Sequence, residues 1–132
     1  MENNLQMSLK RKWFEMTKAG IKTEDYREIT PYWVKRLTWR FEEMESAVFE
    51  EFCEDLTNPT ERHESLNELM RHFNAELAYF KTNIMTLGYP SKDDTERILK
   101  LKHEGIEIRT GRPEWGAEPG KIYFVIKHGT HE

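Results

Sequence analysis

The octet Gly20-Ile21-Lys22-Thr23-Glu24-Asp25-Tyr26-Arg27 places a lysine, two carboxylates and an arginine directly after a turn-forming glycine. A glycine free to adopt positive φ ends a helix and lets the chain turn into a strand, so these ionisable groups fall where one element gives way to the next. In such a place Lys22 can hold a phosphate or a nucleobase oxygen as a cation, or act as a base if burial lowers its pKa. The alternative is a surface lysine paired with Glu24 or Asp25. Asp25 and Arg27 share one face of the following strand. They either pair so that the guanidinium fork is turned towards phosphate or a guanine edge, or form a buried pair that holds the fold.

The whole chain sets the bounds. It has 132 residues, enough for one domain with its own core. Apolar residues make up 37% and charged residues 33%, and four Trp, five Tyr and seven Phe supply the bulk that disordered chains lack. No apolar run is long enough to cross a bilayer, and Met1-Glu2-Asn3-Asn4 has neither the basic start nor the apolar middle of a signal peptide, so a cytoplasmic protein without membrane contact is expected. The single cysteine, Cys53, sits among Glu50, Glu51, Glu54 and Asp55, which raise a thiol pKa and oppose a nucleophilic role. His63, His72, His103, His128 and His131 show no ligand spacing, and the last two fall in a terminus expected to fray. Neither a metal nor another cofactor is expected.

The elements that position the octet follow from periodicity. Leu5, Met7 and Leu9 alternate with polar residues and predict a strand, and residues 12–19 predict a helix with Trp13 and Met16 on one side and Gly20 as its stop. Thr23 to Ile29 predicts a second strand, and Pro31 opens a short helix through Trp33, Val34 and Leu37, leaving Lys35, Arg36 and Arg40 exposed. Met44, Val48, Phe49, Phe52 and Leu56 recur at helical steps. After Asn58-Pro59, a capping pattern at Ser65 and Glu68 opens a second helix, making a helical hairpin. Strand signals return at residues 84–87, at 98–108 with a candidate bulge at Gly105, and at 122–126. Residues 110–120 are too rich in Gly and Pro for regular structure and predict an ordered loop.

Charge is uneven. Residues 1–40 carry nine Lys and Arg against five acids, residues 41–76 two against eleven, and residues 77–132 nine against eight. The net charge of −4 therefore conceals a mildly basic chain interrupted by an acidic insert.

The octet, with Ser8-Leu9-Lys10-Arg11-Lys12-Trp13-Phe14, Glu28 to Leu37, Gly111 to Lys121 and Tyr123 to Lys127, resembles the ASCH superfamily, in particular small stand-alone ASCH proteins of bacteria and phages. That resemblance spans roughly two thirds of the chain and leaves the acidic hairpin uncovered. It implies an α+β fold, a PUA-like β-barrel with surrounding helices, as a single domain over 1–132 with a helical insert at about 41–76. It also implies RNA or nucleotide binding in a basic cleft. Lys12, Lys22, Asp25, Arg27 and Trp115 are then the ligand-binding candidates. Trp115 either stacks a base, worth about 1–3 kcal/mol in single-strand binders, or plugs one end of the barrel.

The superfamily also contains hydrolases of modified nucleosides and of single-stranded RNA. In the amidohydrolase branch the signature lysine acts with a threonine three positions later, where this chain has Asp25. An enzymatic reading therefore assigns Lys22 as base with Asp25 or Glu114 as partner carboxylate. The acidic insert is a solubilising decoration, a cap over the cleft, or a protein-binding surface or nucleic-acid mimic through which residues 41–76 bind a host protein.

Overall fold

Alternation at the start of the chain produces β1 (Asn4–Leu9), in which Leu5, Met7 and Leu9 are buried and Gln6 and Ser8 exposed. The computed structural model describes residues 3–39, 68, 71 and 76–132. After β1 come α1 (Arg11–Lys18), β2 (Glu24–Arg27), α2 (Pro31–Leu37), β3 (Thr38–Trp39), β4 (Glu76–Leu77), β5 (Thr82–Leu87), β6 (Ile98–Thr110) and β7 (Ile122–His131). The architecture is α+β. Five strands form one sheet in the order β1-β5-β6-β7-β2, and β3 and β4 form a separate antiparallel pair. Two compact units are distinguished: Met1–Asp25 with Tyr79–Glu107 and Ile126–Glu132, and Tyr26–Ala78 with Ile108–Val125.

In the first unit β1 pairs parallel to β5, from Asn4 opposite Thr82 to Leu9 opposite Leu87, and β5 pairs antiparallel to β6. Leu5, Met7, Leu9, Phe14, Met85, Leu99, Leu101 and Ile126 are buried there. The buried face of α1 is Phe14 and Thr17, whereas Trp13 and Met16 are half-buried. Thr17 tolerates burial because its hydroxyl donates to the Trp13 carbonyl at 2.7 Å.

In the second unit Thr30 caps α2 by accepting from the Trp33 N–H, and Pro31 takes the first helical position, where no N–H is needed. Val34 and Leu37 are fully buried. Arg36, expected to be exposed, is half-buried because its guanidinium lies over the Tyr32 and Trp33 rings at 5.5 and 5.0 Å. The segment after β6 is ordered: a 3-10 turn at Pro113–Trp115 closes on the Arg112 and Pro113 carbonyls, and the Tyr26 hydroxyl accepts from the Arg112 N–H at 2.9 Å.

Two expectations are corrected. The second strand is shorter than residues 23–29, because the Thr30 N–H turns back to the Glu28 carbonyl and starts the α2 cap. The last strand is longer than residues 122–126. The His128 N–H bonds the Thr23 carbonyl at 3.0 Å and the Glu132 N–H bonds the Lys100 carbonyl at 3.2 Å, which holds the end that was expected to fray. The acidic hairpin over 41–76, with Cys53, lies outside the described residues except for its β4 end and Glu68 and Arg71, which are helical and exposed. Among the described residues no helix is long and apolar enough to cross a membrane.

Candidate functional site

The site begins with the way α1 stops. The Ile21 N–H reaches back to the Met16 carbonyl and the Gly20 N–H to the Thr17 carbonyl, with Gly20 at φ 78°. This is a Schellman ending, which needs a residue at ease with positive φ in Gly20's place. The Lys22 N–H also bonds Met16, so the chain is still wound against the helix when the lysine leaves it. Lys22 is therefore carried inward. It is 1% exposed, its Nζ donating to the Glu24 carbonyl at 2.6 Å and to Asp25 Oδ1 at 2.9 Å, with the Trp13 ring 5.8 Å away.

Beside this pair runs a polar chain across three strands. Asn83 of β5, fully buried, donates from Nδ2 to the Lys127 carbonyl at 3.1 Å, and this bond sets which way its amide faces. Its Nδ2 then lies 2.8 Å from His128 Nδ1 on β7, and its Oδ1 lies 2.8 Å from His103 Nδ1 on β6. The tautomers follow. His128 must present a lone pair at Nδ1 and carry its proton on Nε2, while His103 donates from Nδ1 and keeps a lone pair on Nε2.

Burial pushes the His128 imidazole down to about 4; Asp25 acts against that, Lys22 and His103 reinforce it, and Glu24 opposes it. Burial likewise lowers His103, with Glu104 opposing. Both histidines are neutral near pH 7. Tyr79 and Phe80 hold the His103 ring edge-on at 5.8 and 5.4 Å.

Of the residues singled out in the sequence, Lys22 and Asp25 are brought together. Lys12 stays exposed, 4.8 Å over the Trp13 ring. The remaining candidates belong to the second unit. There Arg27 lies 5.0 Å over Trp33, and Trp115 is half-buried under the Arg112 guanidinium at 4.6 Å. Glu114 is exposed, with Arg112 at 3.8 Å. Sequence reasoning missed Asn83, His103 and His128. A signal existed for His103, which extends the alternation of Leu99 and Leu101 onto the buried face of β6.

A cavity of about 370 Å3 in the first unit is bordered by Lys18, Lys92, Lys100, His131 and the carboxylate-bearing Glu132, over Ile98 and Leu99. Its lysines are exposed, unlike Lys22, and Lys18 and His131 belong to the same two elements that lead to Lys22 and carry His128. Among the described residues no group of three or more His, Cys, Asp or Glu is placed to hold a metal ion. Compared with protein-family models, with curated proteins and with solved structures, the chain matches none.

Proposed function

We propose that the protein is an ASCH-type, PUA-like β-barrel domain of bacterial or phage kind that binds RNA or a nucleotide through its first unit. The buried Lys22–Asp25 pair, inside the segment that resembles the superfamily signature, carries this reading. An ion pair taken out of water costs more than apolar side chains of the same volume. Such a pair fits a requirement for fixed donors and acceptors better than a gain in stability. Phosphate contacts fall to Lys18, Lys92 and Lys100, which border a cavity of a size suited to a small ligand.

The test is RNA binding as a function of salt. A short single-stranded RNA should bind more weakly as salt rises, and Lys18→Ala with Lys100→Ala should lower the logarithmic slope by about 0.7 per lost phosphate contact. A slope near zero rejects the reading.

One observation favours a second reading, a hydrolase acting on a modified nucleoside or single-stranded RNA. Lys22 Nζ and the Asp25 carboxylate lie within hydrogen-bonding distance at 2.9 Å, the convergence that a base and its partner require. Glu114, exposed beside Arg112, has no part in that pair. Incubation with an acetylated cytidine and with single-stranded RNA, followed by chromatography, should show turnover that Asp25→Asn abolishes. Intact substrates after prolonged incubation would leave binding alone.

A further inference from the structure

Tyr89 is 98% exposed, whereas the other large apolar side chains open to solvent among the described residues, Tyr79, Tyr32 and Ile21, stand at 64, 60 and 60%. A lone exposed aromatic is ordinary. Its place sets this one apart: three positions on in the same loop comes Lys92, which borders the first unit's cavity together with Lys18, Thr95 and Lys100. Three residues span at most about 10 Å, so ring and cavity rim lie within the length of a short oligonucleotide.

The loop is braced on both sides of the ring. Gly88 turns the chain at φ 69°, the Thr86 hydroxyl donates to its carbonyl at 2.8 Å, and Pro90 keeps Tyr89 extended. Further on, the Asp94 N–H bonds the Ser91 carbonyl at 3.0 Å, the Arg97 N–H bonds the Asp94 carbonyl at 3.1 Å, and the Asp94 carboxylate pairs with Arg97 at 3.4 Å. The ring is thus presented to solvent by an ordered turn, and a tyrosine has few torsions to freeze on stacking.

Charge says what the cavity accepts. Lys18 is engaged by Glu96 at 3.3 Å, and Glu132 turns one carboxylate oxygen to the Thr82 hydroxyl at 2.6 Å. Lys92 and Lys100 form no ion pair among the described residues. Two uncommitted ammonium groups beside one carboxylate suit the single charge of a phosphodiester, and lysine meets it as a point charge. Among the described residues that line the cavity there is no arginine or side-chain amide to read a base edge.

We propose that Tyr89 is a stacking platform for an unpaired base whose neighbouring phosphodiester sits at Lys92 and Lys100, which makes the ligand single-stranded RNA bound without regard to sequence. This rests on the RNA-binding reading and narrows its ligand to an unpaired strand. A duplex keeps its bases stacked on one another and has no face to offer the ring.

The experiment titrates the full chain, labelled with 13C in its tyrosine rings, with short oligo(U), short oligo(A), an RNA duplex and inorganic phosphate, Tyr89→Phe identifying the resonance. Both single strands should move the Tyr89 signal upfield, and phosphate should leave it in place. Tyr89→Ala should weaken both strands about tenfold with the salt slope unchanged, and Tyr89→Trp should keep the affinity. With the ring almost wholly in solvent, neither variant disturbs the fold. Lys92→Ala should lower the logarithmic salt slope by about 0.7 and leave the upfield shift intact. RNA binding that leaves the Tyr89 signal in place, or that Tyr89→Ala or Lys92→Ala does not alter, overturns this proposal and leaves the RNA-binding reading standing. A duplex bound as tightly as the single strands, or one of the two strands bound and the other refused, does the same. Failure of every RNA to bind overturns both.

Discussion

Lys22 shows how much a single side chain's placement changes its chemistry. On a surface it would be a phosphate contact whose pairing with Asp25 is worth little; at 1% exposure the same pair is a structural commitment. Lys22→Met leaves the Asp25 carboxylate buried without its cation and should cost about 3–5 kcal/mol in denaturant unfolding. The double substitution Lys22→Met with Asp25→Leu should recover most of that loss while abolishing ligand binding.

His128 supplies the pH dependence. Its imidazole charges near 6.5 in the unfolded chain and near 4 in the fold, so between those values the unfolded chain binds more protons. Stability should therefore rise with pH through this window, by up to about 3 kcal/mol from this group. Asp25 and Glu24 of β2, Lys22 and His103 of β6 all act on the ring and shape the profile. In His128→Gln the slope of unfolding free energy between pH 4 and 6.5 should flatten by about one proton.

At the scale of elements, the end of α1 and the loop after β6 carry most of the positioning. A β-carbon at Gly20, where φ is 78°, would meet nothing within 4 Å, so Gly20→Ala should cost about 1 kcal/mol through backbone conformation alone. Gly111 is the opposite case. A β-carbon there would meet the Tyr26 ring at 2.5 Å and Ala117 at 2.8 Å, so Gly111→Ala should cost about 1–3 kcal/mol and loosen the Tyr26–Tyr123 packing, seen in thermal unfolding. These elements were largely legible. The β1 alternation, the glycine stop after α1 and Pro31 at the start of α2 are local signals, and each gives the element expected of it. The extent of β7 was not, because Lys127-His128-Gly129-Thr130-His131 has no apolar period of its own and is held by backbone bonds to other segments.

For the whole molecule, charge distribution governs encounter with a ligand. Residues 41–76 hold eleven acids and two basic residues, which makes a chain with exposed lysines net negative. Replacing Glu42, Glu43, Glu50 and Glu51 with glutamine should raise the association rate for single-stranded RNA several-fold at low ionic strength. That gain should vanish near 1 M salt, where the Debye length is about 3 Å, as stopped-flow measurements would report. An RNA association rate indifferent to those charges at low salt would remove electrostatic steering from the account.

The amino-acid sequence by itself determined the α+β character, the helix stop at Gly20 and the choice of Lys22 and Asp25 as interacting groups, because each depends on neighbours within a few positions. Tertiary structure alone decided that the lysine is buried and that Asn83, His103 and His128 form one chain. Asn83 lies 20 positions from His103 and 45 from His128, and their meeting depends on how β5, β6 and β7 come together. Strand register is set by the packing of whole faces, and a slip of one residue would turn every one of these side chains to the opposite side.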